Sequence, residues 1–127
     1  WWSASQQARW MYARDASIQR GDCGLVVLPE TTAEVSACMR LAHELELMVV
    51  PRGSGTGLAG AAVPMDGAVV VSLARMRRIL EIDQVTPCAW VEPGCGTRKA
   101  NPSAKRSYHM AFDTNFEPVT FSMTDQA

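Results

Sequence analysis

Apolar residues fall into short runs along the chain, separated by polar and glycine-rich stretches. CGLVVLPE at 23–30 is rich in β-branched residues and Leu, is bounded by Gly24 and Pro29, and predicts a short buried strand. The period then changes. Val35, Cys38, Met39, Ala42 and Leu45 recur at helical spacing, while Glu34, Arg40, Glu44 and Glu46 fall elsewhere on the wheel. Thr31 and Glu34 form a T-x-x-E capping box ahead of that stripe, so a helix is predicted to begin just after Thr31. LMVVP at 47–51 returns to strand. Strand, helix and strand so close together predict a βαβ unit with parallel strands and a right-handed crossover.

GAVVVSL at 67–73 is a continuous apolar run and predicts a third strand buried on both faces. ARMRRIL at 74–80 reads as a short turn or helix, and CAWVEPG at 88–94 as a fourth strand ending in a Pro-Gly turn. Residues 3–13 are compatible with a helix, although Trp1, Trp2 and Trp10 form no stripe. From Thr97 onward no period is sustained, and the chain has no internal repeat or low-complexity linker.

With 127 residues there is room for one domain and its core. The hydrophobic fraction of 47% and the charged fraction of 20% fit a globular protein. A net charge of −1, with the two signs interleaved, gives no electrostatic reason to expect nucleic acid or an anionic membrane as partner. Every apolar run is broken well before the roughly 20 residues a membrane span needs. WWSASQQARW lacks the basic start and apolar stretch of a signal peptide, so a cytoplasmic location is expected. Cys23, Cys38, Cys88 and Cys95 include no C-x-x-C pair, and only His43 and His109 could complete a metal site. Zinc spacing is absent, and reduced thiols are expected, with Cys38 a small buried hydrophobe on the helix. His43 is expected on the helix surface, and no catalytic role falls to it or to His109.

The chemistry concentrates in VVPRGSGTGLAG at 49–60, which contains a literal GxGxxG from Gly55 to Gly60. A dinucleotide fingerprint of that kind needs a strand before it and a helix after it. The strand is predicted, and Glu81 or Asp83 lies at a suitable distance for the ribose acid. The helix is missing: Ala61, Ala62 and Val63 run straight into the turn Pro64-Met65-Asp66-Gly67. A nicotinamide site is therefore not expected, and without a Lys-Ser or Lys-Thr the loop is no P-loop either. Glycines still let successive N–H groups converge on an anion as a nest. Arg52, Ser54 and Thr56 would add charged and hydroxyl donors. The plain alternative is a turn that redirects the chain between strands.

YARD (12–15), LVVLPETTAEV (25–35), VVPRGSGTGLAGAAVP (49–64), VVVSLARMRRILEID (69–83) and VEPG (91–94) occur in this order and spacing. Together they resemble the FAD-binding domain of the p-cresol methylhydroxylase/vanillyl-alcohol oxidase superfamily. The nearest branch looks like the FAD subunit of glycolate oxidase and the related D-lactate and D-2-hydroxyacid dehydrogenases. The resemblance covers Tyr12 to Gly96. It implies an α+β fold of the p-cresol methylhydroxylase type, with an N-terminal βαβ subdomain on a small parallel or mixed sheet and a second subdomain that is incomplete here. Residues 1–11 would be an atypical lead-in, 12–96 the FAD-binding domain, and 97–127 a divergent start of the second subdomain.

In the fold so implied, two subdomains clasp FAD. Pro51, Arg52, Gly53, Ser54, Gly55, Thr56 and Gly57 would bind the pyrophosphate, Leu58 and Gly60 would continue along the cofactor, and Pro64 would precede the third strand. Pro93 and Gly94 would form the turn toward the adenine side. Relatives with covalent flavin often carry a His in this loop; Thr56 stands there, which implies non-covalent FAD. In the family, a 2-hydroxy acid passes a hydride to flavin N5, and the base and carboxylate-binding arginines lie in a cap domain that this chain lacks. No residue is therefore assigned as catalytic. A partner subunit or a second copy of the chain is left open. The second half of the pyrophosphate clasp, a P-D-P-S-S and glycine-rich segment, is not found: Asp113 can match its Asp, but Met123 and Thr124 stand where glycines are expected. A non-catalytic scaffold that has lost the flavin site is the alternative function.

Overall fold

The valine run at 69–71 becomes the centre of a sheet because it has a strand to bond on each side. In the computed structural model, which describes residues 1–83 and 88–95 and the backbone of 109–112, the chain divides into two compact units, Trp1–Arg75 and Met76–Ala127.

In the first unit, β1 (Trp2–Ser3), β2 (Cys23–Val27), β3 (Val49–Arg52) and β4 (Ala68–Ser72) form one sheet in the order β1-β2-β4-β3. β1 is antiparallel to β2, whereas β2, β4 and β3 are mutually parallel. Every residue of β4 is buried, as its unbroken apolar run predicts. β2 and β3 are not neighbours, as the simplest βαβ reading would have them: β4 lies between. Val50 and Val26 both pair with Val70, and Arg52 pairs with Ser72 at the carboxyl end of the sheet. Cys23, Val26 and Val70 form the core, with Tyr12 and Leu28 packed on them.

The lead-in is part of this unit. Ser5 caps α1 (Gln6–Tyr12) by accepting the Ala8 amide, and Arg9 on that helix donates to the Cys23 carbonyl and pairs with Asp22. α2 (Thr32–Glu44) starts where the capping signal placed it, with Thr31 Oγ1 accepting the Glu34 amide at 3.2 Å. The box is not reciprocal: the Glu34 carboxylate accepts the amide of Glu30, one residue before the cap, at 2.7 Å. At the other end, Leu47 N–H reaches the Ala42 carbonyl and Glu46 N–H the His43 carbonyl, a Schellman closure with Glu46 at φ +52°. The predicted apolar stripe is half open. Ala42 is buried, Val35 and Cys38 are only half-buried, and Met39 and Leu45 are exposed, so Cys23 and Cys95 are the buried thiols rather than Cys38.

In the second unit, β5 (Ile79–Asp83) pairs antiparallel with β6 (Cys88–Val91), and β6 pairs parallel with β7 (His109–Phe112). The stretch read as a turn or helix is thus a turn at residues 74–75 that leads into strand. Ala89, Val91 and Cys95 form a small core with Ile79 against it. Asp113, Met123 and Thr124 lie outside the described residues. Among the described residues no helix is long and apolar enough to cross a membrane.

Candidate cofactor-binding site

The loop from Gly53 to Gly67 contains no helix: bends and turns lead from β3 directly into β4. This removes the helix N-terminus that a Rossmann site uses and leaves the backbone itself as the donor. Gly55, Gly60 and Gly67 adopt φ of +73°, +77° and +80°, a region where a side chain is strained. Among the described residues, no amide from Gly53 to Gly60 donates a hydrogen bond. Nothing lies within 4 Å of where a Cβ on Gly57 would stand, so a ligand can approach the chain there without hindrance. Ser54 and Thr56 are exposed, with their hydroxyls 3.2 Å apart, and Leu58 is 79% exposed. Pro51 and Gly53 are exposed as well. The loop is an open cradle of donors. Surface hollows beside α1, one of about 650 Å³ lined partly by Arg9, Trp10 and Arg20, do not include it.

Arg52 is held by protein groups. Its guanidinium donates through Nη1 to the Arg14 carbonyl at 2.5 Å and lies 5.3 Å from the centre of the Tyr12 ring. A Cβ added to Gly55 would overlap the guanidinium, so the glycine is required by the packing as well as by its φ. Further along, Ala16 N–H donates to the Gly57 carbonyl at 3.1 Å, and the Gln19 side chain fills the place where Gly60 would carry a Cβ. Gly21 packs against the carbonyl of the fully buried Pro64. Gly21 N–H also bonds to the Ala13 carbonyl at 2.9 Å, closing the segment on itself. Within it the Ser17 hydroxyl and amide, with a smaller contribution from the Ala62 amide, hold the Asp15 carboxyl below its usual range. Ser72, at the register position beside Arg52, is fully buried with no partner for its Oγ among the described residues. In the sequence, YARD at 12–15 stands out only as part of the family resemblance; residues 16–21 and Ser72 carry no functional signal there.

Pro93 and Gly94 sit in the other unit, in a turn whose amides are already used. Gly94 N–H donates to the Met76 carbonyl at 2.8 Å and Cys95 N–H to the Glu92 carbonyl at 2.9 Å. Glu92 anchors this turn. Its carboxylate is 7% exposed and accepts the Arg78 amide and Nε, both at 2.7 Å, while the 74%-exposed Arg78 side chain reaches solvent. The Arg78 hydrogen bonds outweigh burial and hold the Glu92 carboxyl below its usual range.

The profile of a family described as "FAD binding domain" matches residues 24–120. The chain belongs to that family. Glycolate oxidase subunit GlcD of Escherichia coli K12 is 44% identical over 70 residues, 55% of this chain and 14% of the relative. The probable mitochondrial D-lactate dehydrogenase of Danio rerio is 34% identical over 113 residues, 87% of this chain and 22% of that protein. Among solved structures, p-cresol methylhydroxylase with substrate bound superposes with a TM-score of 0.71 at 20% identity, covering 80% of this chain and 21% of that one. The chain therefore spans between about a seventh and a fifth of the length of these relatives. Fold and family agree with the expected FAD-binding domain of the p-cresol methylhydroxylase type, and the cofactor of this family is FAD. The open amides and the unhindered approach at Gly57 suit the pyrophosphate of that cofactor.

Proposed function

We propose that the chain is the FAD-binding portion of a flavin-dependent oxidoreductase that oxidises a small 2-hydroxy acid. The observation that carries this reading is the row of uncommitted amides from Gly53 to Gly60 in a chain of the FAD-binding family. Pro51, Arg52, Gly53, Ser54, Gly55, Thr56, Gly57, Leu58 and Gly60 make the pyrophosphate loop. Pro64 fixes the loop's exit into β4, and Pro93 and Gly94 serve the adenine side. With its amides internally bonded, that second turn offers apolar surface rather than donors. When bound, FAD supplies the acceptor, at flavin N5, for the hydride leaving the α-carbon of the hydroxy acid. The chain's own work is to hold the cofactor through the loop, and Thr56 in place of a His keeps the flavin non-covalent. Glycolate oxidase, D-lactate dehydrogenase and D-2-hydroxyglutarate dehydrogenase among the relatives' names support a 2-hydroxy acid as substrate. The subunit named in glycolate oxidase supports a partner subunit.

A scaffold without flavin is favoured by one observation, Met123 and Thr124 at the positions expected for glycine. Titrating FAD into the 127-residue chain separates the two readings. Saturable quenching of flavin fluorescence at one FAD per chain, with the FAD released intact on heat denaturation, supports the oxidoreductase reading. A folded chain that leaves the fluorescence unchanged supports the scaffold.

A further inference from the structure

Arg52 is the only cation between residues 49 and 60, and its chemistry suits a phosphate ligand. Its geometry assigns it a different task. A guanidinium that donates to the Arg14 carbonyl, stacks on Tyr12 and fills the space beside Gly55 is already committed to protein partners. The contacts around it follow a common order along both strips of chain. Tyr12 and Arg14 meet Arg52, Ala16 meets Gly57, Gln19 meets Gly60, and Gly21 meets Pro64. Two segments roughly forty residues apart in sequence thus run against each other in the same order, one from the end of α1 and the other from the end of β3, each continuing outside helix and strand. We propose that residues 12–21 are a template that fixes the conformation of the glycine loop, and that Arg52 is the positioning residue locking loop and template together.

A loop in which every second residue from Gly53 to Gly57 is glycine, with another at Gly60, loses much freedom on ordering, and its glycines offer no side chains to hold it. A template that orders it beforehand removes that cost from ligand binding. The anion is then met by amides, and the arginine's charge acts by holding the cradle open. The consequence for flavin rests on the FAD reading above; the template itself does not.

The test uses the 127-residue chain and the variants Arg52→Lys, Arg52→Gln, Tyr12→Phe and Tyr12→Leu. Hydrogen exchange at the Ala16 amide, the donor to Gly57, is read against amides of β4 as an internal reference for folding. Both Arg52 variants are expected to speed Ala16 exchange by about tenfold, because each loses a charged hydrogen bond and the stacked fork that lysine does not replace. Tyr12→Phe keeps the ring and should match wild type; Tyr12→Leu, which also trims packing on the Val26 and Val70 core, should speed Ala16 exchange more than β4 exchange, and β4 should stay unchanged in both Arg52 variants. FAD affinity, measured alongside, should fall equally in Arg52→Lys and Arg52→Gln. Unchanged Ala16 exchange in Arg52→Gln overturns the proposal. So does an Arg52→Lys variant that keeps full FAD affinity while Arg52→Gln loses it, the signature of a point charge on phosphate. Because the exchange readout needs no flavin, a wild-type chain that binds no FAD sinks the functional reading and still leaves the template tested.

Discussion

Two glycine-bearing turns were expected to touch the same cofactor, and they are built in opposite ways. The Gly53–Gly60 loop spends none of its amides among the described residues and is held by its neighbours at 12–21. The Pro93-Gly94 turn spends its amides on itself and on Met76, and a buried carboxylate pins it. A turn that has satisfied its own donors has little left for an anion. The proposed anion binding therefore falls to the first turn, whose amides are uncommitted, and not to the second.

The largest expected effect comes from spoiling the first turn alone. Gly55→Val forces a β-branched residue to φ +73° and displaces the Arg52 guanidinium. It should weaken FAD binding by about 2 kcal/mol or more, roughly thirtyfold in Kd, measurable by fluorescence titration. An unchanged Kd would erase the distinction drawn between the turns.

The second turn should instead reveal itself through pH. The folded-state carboxyl of Glu92 sits below its usual value because Arg78 bonds to the charged form. Its contribution is therefore complete above the usual glutamate range and disappears as pH falls through the lower folded-state value. Protection of the β5 and β6 amides, taken relative to their intrinsic exchange rates at each pH, should fall on acidification across that window. Glu92→Gln should flatten the response and make the strands less protected at neutral pH, with the sheet of the first unit unaffected.

Much of this was legible in the sequence where a residue's neighbours in the chain decide its state. Thr31 announced the start of α2, the continuous valines announced a doubly covered strand, and the missing helix after Gly60 excluded a Rossmann site. β5 was not legible because neither face of Ile79–Asp83 is fully buried, so its alternation carries no period to detect. The place of β4 between β2 and β3 is set by hydrogen bonding across the sheet, which no local pattern encodes. The glycine loop could be found from its own residues and YARD from the family resemblance, but nothing in YARDASIQRG shows that it packs on that loop. Its importance comes only from partners some forty residues away, which tertiary structure alone brings together.

Smaller effects test whether the glycine loop's role is separable from general stability. Thr31→Ala removes the acceptor for the Glu34 amide and should destabilise the first unit by about 1 kcal/mol in denaturant melts. Glu46→Gly relieves the positive φ at the end of α2 and should stabilise it by about 0.5–1 kcal/mol. Neither should change FAD affinity once the chain is folded, because both lie at the ends of α2 and outside the loop and its template.

The central claim, that the amides of Gly53–Gly60 hold a pyrophosphate, is tested most directly by titrating the chain with FAD and, in parallel, with riboflavin, which has the same ring system and no phosphate. FAD should bind saturably, and riboflavin more weakly by an order of magnitude or more. Equal affinity for the two, or no binding of FAD by the folded chain, would contradict the claim.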